Sequence, residues 1–176
     1  METTVYFIRH GAYVSQGSVL PFRKPGVHVS PLGKKQSEKL REFFADKPIT
    51  AVYTSPLERC QETAEIIFPN ISTTTDERLN EVRCPPIPDE ISGWDKFDAD
   101  WYKKRGGESR EEIVSRMKNF LQEKVRAHEG QEIIAVSHGD PILLLLADQM
   151  HKHIEEIPYI GMGEYQRLTF SPDPIH

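Results

Sequence analysis

Three apolar segments of this chain each stop abruptly at a small polar group containing a glycine or a proline, and this pattern restricts the fold more than any other feature. V5-Y6-F7-I8 stops at R9-H10-G11, I49-T50-A51-V52-Y53-T54 stops at S55-P56, and I133-I134-A135-V136 stops at S137-H138-G139-D140-P141. Short apolar runs between polar residues fit strands covered on both faces, which is the condition of a parallel sheet. Helical patterns lie between them. In S30-P31-L32-G33-K34-K35-Q36-S37-E38-K39-L40-R41-E42-F43-F44, Ser30 suits the cap, Pro31 the first helical position, and Leu32, Leu40, Phe43 and Phe44 an apolar face. Ser55 and Glu58 are spaced as a capping box with Pro56 between them, which places Arg59 in a first helical turn. Ser109 and Glu112 form the same signature ahead of a helix from Arg110 to about His128, with Ile113, Met117, Phe120, Leu121 and Val125 inward. Asp140 and Pro141 open a last helix whose Leu143 to Leu146 run is apolar all round. Strands alternating with helices imply a mostly parallel sheet with helices on both faces.

The chain has 176 residues, enough for one domain over 1–176 with a real core and too few for a comfortable second. A net charge of -5 argues against nucleic acid as partner. No apolar stretch approaches the roughly 20 residues of a membrane span, and Met1 to Thr4 do not resemble a signal peptide, so the cytoplasm is the expected compartment. Cys60 and Cys84 are read as free thiols, and H151-K152-H153 brings too few ligands for a metal. Residues 79–108 have no clear period and form a long excursion, whose Trp94, Phe97, Trp101 and Tyr102 suit either a satellite core or a substrate-facing role.

Open parallel sheets bind ligands beyond the carboxyl ends of their strands. Arg9, His10, Arg59 and His138 all fall at that edge, next to helix starts. Two guanidinium groups, two imidazoles and helix N-termini converging on one place make an anion pocket.

R9-H10-G11, S55-P56-L57-E58-R59-C60-Q61-E62-T63-A64, L79-N80-E81 and S137-H138-G139, in that order, resemble the motifs of the histidine phosphatase superfamily, the phosphoglycerate-mutase-like group. S30-P31-L32-G33-K34-K35-Q36 is similar to a helix start of that family, and G107-E108-S109 before a long helix is also typical of it. The resemblance covers nearly the whole chain and implies a three-layer α/β/α sandwich with a mostly parallel central sheet. It further implies that His10 takes a phosphoryl group as phosphohistidine, and that Arg9, Arg59 and a protonated His138 neutralise the phosphoryl oxygens. Glu81 becomes the proton donor and then the base, and Gln16 stands where many members have a phosphate-touching asparagine. After Glu81 the chain departs from the family with V82-R83-C84-P85-P86-I87-P88, which leaves Asp89, Glu90 and Asp95 as alternative acids.

The chain is short for a phosphoglycerate mutase, so a phosphatase is expected, acting without a cofactor on a phosphorylated small molecule or a phosphoprotein. A phosphomutase or a non-catalytic phospho-ligand-binding module are the alternatives. Arg83, Trp94 and Trp101 are the candidate leaving-group pocket. Neither cysteine has an arginine six positions later, and Asp98 and Asp100 do not close an apolar strand, which disfavours cysteine- and aspartate-nucleophile phosphatases. Phosphate-binding G-x-x-x-x-G-K-[ST] and serine-hydrolase G-x-S-x-G motifs are absent.

Overall fold

A computed structural model describes residues 1–14, 23–85, 98 and 100–171. The sheet is built on β1 (Thr3–Arg9), whose residues from Thr3 to Ile8 are all buried. Beyond it come β2 (Ile49–Thr54), β3 (Thr73–Thr75), β4 (Glu132–Ser137) and β5 (Tyr165–Phe170). Their spatial order is β3-β2-β4-β1-β5, with every pairing parallel except that of β5 on β1. Helices α1 (Pro31–Phe44) and α2 (Glu58–Ile67) pack on one face, and α3 (Arg110–Ala127) and α4 (Gly139–Gln149) on the other. This is the mostly parallel α/β architecture expected from the sequence.

Side-chain alternation along the central strands divides the core in two. Val5 and Phe7 of β1 and Ile133 and Ala135 of β4 meet Ile113, Met117, Phe120 and Leu121 of α3. Tyr6, Ile8, Ile134 and Val136 point the other way, toward Leu40 and Phe44 of α1 and Ala64 and Ile67 of α2. Strands covered on both faces leave no polar side, which is why they read as continuous apolar runs.

Several local expectations are corrected. In α1, Ser30 caps and Pro31 leads as predicted, but only Leu40 and Phe44 of the four apolar residues are buried. Leu32 is 59% exposed, and Phe43, 44% exposed, stacks on Tyr165 with ring centroids 4.8 Å apart. α2 begins at Glu58 behind Leu57, and Ser55 makes no capping box with Glu58. Its hydroxyl instead meets His138 Nε2 at 2.9 Å and accepts a bond from the Leu57 N–H at 3.3 Å. The Ser109–Glu112 capping box of α3 is present in both its bonds. The edge strands β3 and β5 were not foreseen, because one is three half-buried or exposed threonines and the other mixes exposed and half-buried residues without a wholly apolar run.

No helix of the described residues is long and apolar enough to cross a membrane. Trp101 and Tyr102 are buried in the core on the α3/α4 face, which resolves that part of the excursion as packing. Trp94 and Phe97 lie outside the described residues.

Registry carries this packing to the site. β1 and β4 align Arg9 with Ser137, and the ladder extends one step, His10 N–H donating to Ser137 O at 3.1 Å. Just past β1, Gly11 lies against the backbone of Gly33 in α1, where an added Cβ would stand 2.7 Å from Gly33 O. A Cβ on Gly33 would in turn overlap Ala12 O, so two backbones touch where neither residue can carry a side chain. Gly33→Ala is therefore expected to lower unfolding stability by about 1–3 kcal/mol in urea titration, the range for forced overpacking.

Candidate active site

Because β1 and β4 are adjacent, parallel and in register, the residues that follow them, His10 and His138, emerge side by side with ring centroids 5.1 Å apart. β2 lies on the far side of β4 and leads through Ser55 to α2, whose second residue is Arg59. The Arg59 side chain reaches both rings: Nε donates to His10 Nε2 at 3.3 Å, and the terminal Nη2 approaches His138 Nδ1 at 3.2 Å. All three side chains are buried, with Arg59 only 1% exposed. A charged group so deep is costly, and here the rings accept its hydrogen bonds.

Burial and Arg59 together set the state of both imidazoles. His10 Nδ1 lies 2.9 Å from Gly11 O, an acceptor only, so Nδ1 carries the hydrogen and Nε2 presents its lone pair. Burial and then Arg59 push the His10 pKa down to about 3. Burial, Arg59 and His10 likewise hold His138 well below its usual value. The positive charge expected on His138 is thus absent from the protein alone, because a guanidinium 3.2 Å away already occupies the position where a proton would sit. With Nδ1 accepting, Nε2–H donates to Ser55 Oγ, whose hydroxyl faces Asn80 Oδ1 at 3.4 Å. Cys60 Sγ lies 3.4 Å from the same Nε2, and its own burial raises the thiol to about 12, which removes it as a nucleophile at neutral pH.

Arg9 supplies the second guanidinium. Its Nη1 donates to Ile160 O at 2.9 Å, its Cζ lies 5.0 Å from the Tyr159 ring centre, and its buried Nε has no hydrogen-bond partner among the described residues. Glu81 enters from the loop after the turn Glu77–Leu79, with Oε2 3.5 Å from His138 Nδ1 and Oε1 accepting from Val82 N–H at 2.9 Å. Burial first, and then the nearby Asp140 carboxyl, raises its pKa to about 7, so that Glu81 can carry a proton near neutrality.

Behind Glu81 stands a network that the sequence did not disclose. Glu108, 7% exposed, pairs with Arg23 at 3.1 Å and Arg116 at 3.0 Å, and accepts from the Arg83 N–H at 2.6 Å. Arg23 Nε also donates to Glu81 O at 2.6 Å, and Arg116 Nη1 to Arg78 O at 2.7 Å. Two guanidinium groups on one carboxylate thereby brace the backbone on either side of the acid. The triad joins residues up to 85 positions apart, and the only sequence signal was G107-E108-S109.

Of the predicted residues, Arg9, His10, Arg59, Glu81 and His138 are brought together. Arg83 is exposed and, among the described residues, bonds to the group through its backbone N–H, while the Trp101 ring is covered by the core and by Arg105, whose Cζ lies 4.0 Å from its centre. Gln16 and Trp94, and the alternative acids Asp89, Glu90 and Asp95, lie outside the described residues. Tyr102, one of the aromatics of the excursion, Asp140, read from the sequence only as a helix opener, and Tyr159, given no role there, complete the surroundings.

The family model described as histidine phosphatase superfamily (branch 1) matches residues 5–173. A relative from Mycobacterium tuberculosis, described as uncharacterized, is 30% identical over 156 residues, covering 82% of this chain and 77% of that protein. The 5''-phosphoribostamycin phosphatase of Niallia circulans is 28% identical over 161 residues, covering 83% and 71%. Among solved structures, Bacillus stearothermophilus YhfR superposes with a TM-score of 0.76 at 25% identity, covering 94% of this chain and 90% of that one.

The lowered pKa of His10 has a sign that stability measurements can read. Between pH 6.5 and about 3 the unfolded chain binds a proton at this position that the folded chain refuses, so His10 costs stability as pH falls. His10→Gln removes the penalty. In urea titrations the variant is expected to gain on the parent by about 2 kcal/mol between pH 7 and pH 5.

Proposed function

The chain belongs to the histidine phosphatase superfamily, branch 1, and from that membership we propose that it hydrolyses a phosphate monoester through a phosphohistidine on His10. The observation that carries this reading is the state of His10: a buried imidazole, uncharged, with Nδ1–H tied to Gly11 O and the Nε2 lone pair directed into the group of guanidiniums. An uncharged nitrogen fixed in one tautomer is what a nucleophile toward phosphorus requires.

The phosphoryl group binds with its oxygens toward Arg59 and the unpartnered Nε of Arg9, and the charge of the dianion is offset by the two guanidiniums. The Arg59 N–H now on His10 Nε2 turns to a phosphoryl oxygen, which frees the lone pair. Nε2 attacks phosphorus, the N–P bond forms as the ester P–O bond breaks, and the departing oxygen takes the proton of Glu81. Glu81, now a carboxylate, accepts a proton from a water as that water attacks phosphorus, the N–P bond breaks, and inorganic phosphate leaves. Both steps return Glu81 and His10 to their starting states. A dianion beside His138 also reverses the balance that keeps this ring uncharged, so His138 gains a proton when phosphate binds.

The phosphatase reading is supported by membership of the superfamily and by the relative named for its action on a phosphorylated aminoglycoside. The place of the site at the carboxyl edge of the sheet supports a phosphorylated small molecule or a phosphorylated side chain as substrate, and no cofactor enters either step.

Turnover of a panel of phosphorylated metabolites and phosphopeptides, with p-nitrophenyl phosphate as a general ester, tests the reading. His10→Ala is expected to abolish turnover of every ester. Acid-labile, alkali-stable phosphate on the wild-type protein after rapid quenching is the matching chemical signature. Glu81→Gln is expected to slow hydrolysis of alkyl esters about 10² to 10⁴-fold while phosphate binding persists. Hydrolysis unchanged by His10→Ala would overturn the assignment. Calorimetry of phosphate binding at pH 7 in buffers of different ionisation enthalpy is expected to show net proton uptake, from His138.

A further inference from the structure

Asp140 is a buried carboxyl in the first turn of α4, two residues beyond His138, and the steps above do not use it. Each of its oxygens accepts a tyrosine hydroxyl: Tyr102 Oη donates to Oδ2, and Tyr159 Oη donates to Oδ1 at 2.6 Å. Tyr102 comes from the excursion before α3, and Tyr159 from the loop that also holds Arg9 through Ile160 O. The residue before Asp140 has to be glycine for this to happen. A Cβ on Gly139 would overlap the Tyr159 hydroxyl and stand 3.1 Å from Arg9 Cζ. The segments of Tyr102 and Tyr159 therefore meet the start of α4 at one carboxylate, with the Arg9 guanidinium against the neighbouring Gly139.

The surroundings of Asp140 and Glu81 differ in kind. Burial raises the Asp140 pKa, and it is opposed by two hydroxyl donors, by Arg9, and by the place of Asp140 in the first turn of a helix, where a negative charge is favoured. Glu81 faces Arg59, Arg9 and His138 Nδ1 and accepts one backbone N–H, while Arg23 and Arg116 hold only its carbonyl oxygen. The hydroxyls of Tyr102 and Tyr159 feel both carboxyls. Asp140 is buried and Glu81 half-buried, and Asp140 is the largest influence on Glu81 after desolvation. Two carboxyls so placed do not both ionise readily, and the one with more donors keeps the charge.

We propose that Asp140 is a positioning residue of this site: anchored by the hydroxyls of Tyr102 and Tyr159, and two residues beyond the His138 whose Nδ1 lies 3.5 Å from Glu81 Oε2, it shares one proton with Glu81, and that proton resides on Glu81 and is the one given to the departing oxygen. This rests on the phosphatase reading above. Asp140 touches neither phosphorus nor the leaving group. Its negative charge keeps Glu81 loaded at neutral pH, and its bonds to the tyrosines keep that charge on Asp140.

The test uses two esters. Glycerol 2-phosphate has an alkyl leaving group that needs a proton, and p-nitrophenyl phosphate has one that leaves without it. For the wild type, kcat/KM on glycerol 2-phosphate is expected to fall as pH rises past neutrality, when the pair loses its last proton, and the p-nitrophenyl ester is expected to show a much weaker fall. Asp140→Asn removes the like charge, so Glu81 gives up its proton sooner and the fall moves to lower pH by about one unit. Tyr102→Phe keeps the carboxylate but deprives it of a donor. The proton then shifts toward Asp140, and the expected result is a lower plateau with the fall moved to higher pH.

A merely structural role would lower activity in both variants and move neither fall. A folded Asp140→Asn protein, checked by circular dichroism, whose fall is unmoved overturns the inference. If Asp140→Asn does not fold, Tyr102→Phe decides by the same criterion. Turnover of the p-nitrophenyl ester with unmoved falls counts against Asp140 alone, whereas failure of the wild type on both esters and on the metabolite panel overturns the phosphatase reading and this inference with it.

Discussion

A single buried guanidinium, that of Arg59, sets the conditions for the rest of the site. It lies between two imidazoles, donating to His10 Nε2 at 3.3 Å and reaching His138 Nδ1 at 3.2 Å. Burial makes a cation on either ring unfavourable, and a guanidinium in that position adds to the effect. The positive charge of the site is thereby concentrated on arginines, which do not lose it at any physiological pH. The histidines are left uncharged, one with its Nε2 lone pair toward Arg59 and the other as a relay from Arg59 to Ser55 and Asn80. The cost of burying Arg59 is carried by the fold, through a sheet packed on both faces and helices that fix where the side chain emerges.

The carboxyls follow the opposite logic. Glu81 is raised to about 7 by burial and by Asp140, against the lowering by Arg59 and Arg9. In the mechanism proposed above, a nucleophile free of its proton and an acid that retains one are both available near pH 7 because their environments push them in opposite directions. The brace of Arg23, Arg116 and Glu108 keeps the acid loop in register with the strands, so that the distance from Glu81 to His138 does not depend on a loose turn.

The central strands were legible in the sequence because burial on both faces writes itself as a continuous apolar run. Arg9, His10, Arg59 and His138 were legible for a related reason: each interrupts or directly follows such a segment, at the edge where parallel sheets bind ligands. The edge strands β3 and β5 carry no such mark, since one face or one side of each meets solvent. Ser55 misled in an instructive way. Its spacing to Glu58 fits a capping box, but a tertiary bond to His138, 83 residues away, claims the hydroxyl first. Asp140 reads as an ordinary helix-opening residue, and only the folded chain shows Tyr102 and Tyr159 arriving on it from either side. Long-range polar contacts leave no period in a sequence, so the support behind the acid had to be found in space.

The claim on which all of this turns is that His10 is uncharged and in one tautomer throughout the physiological range. Nitrogen-15 NMR of histidine-labelled protein, followed from pH 8 to pH 4.5 and assigned with His10→Gln, reads that state directly. The structure predicts a His10 ring with its hydrogen on Nδ1 and no titration over the whole range. A His10 signal that titrates with a midpoint near 6.5, or that shows the hydrogen on Nε2, would contradict it.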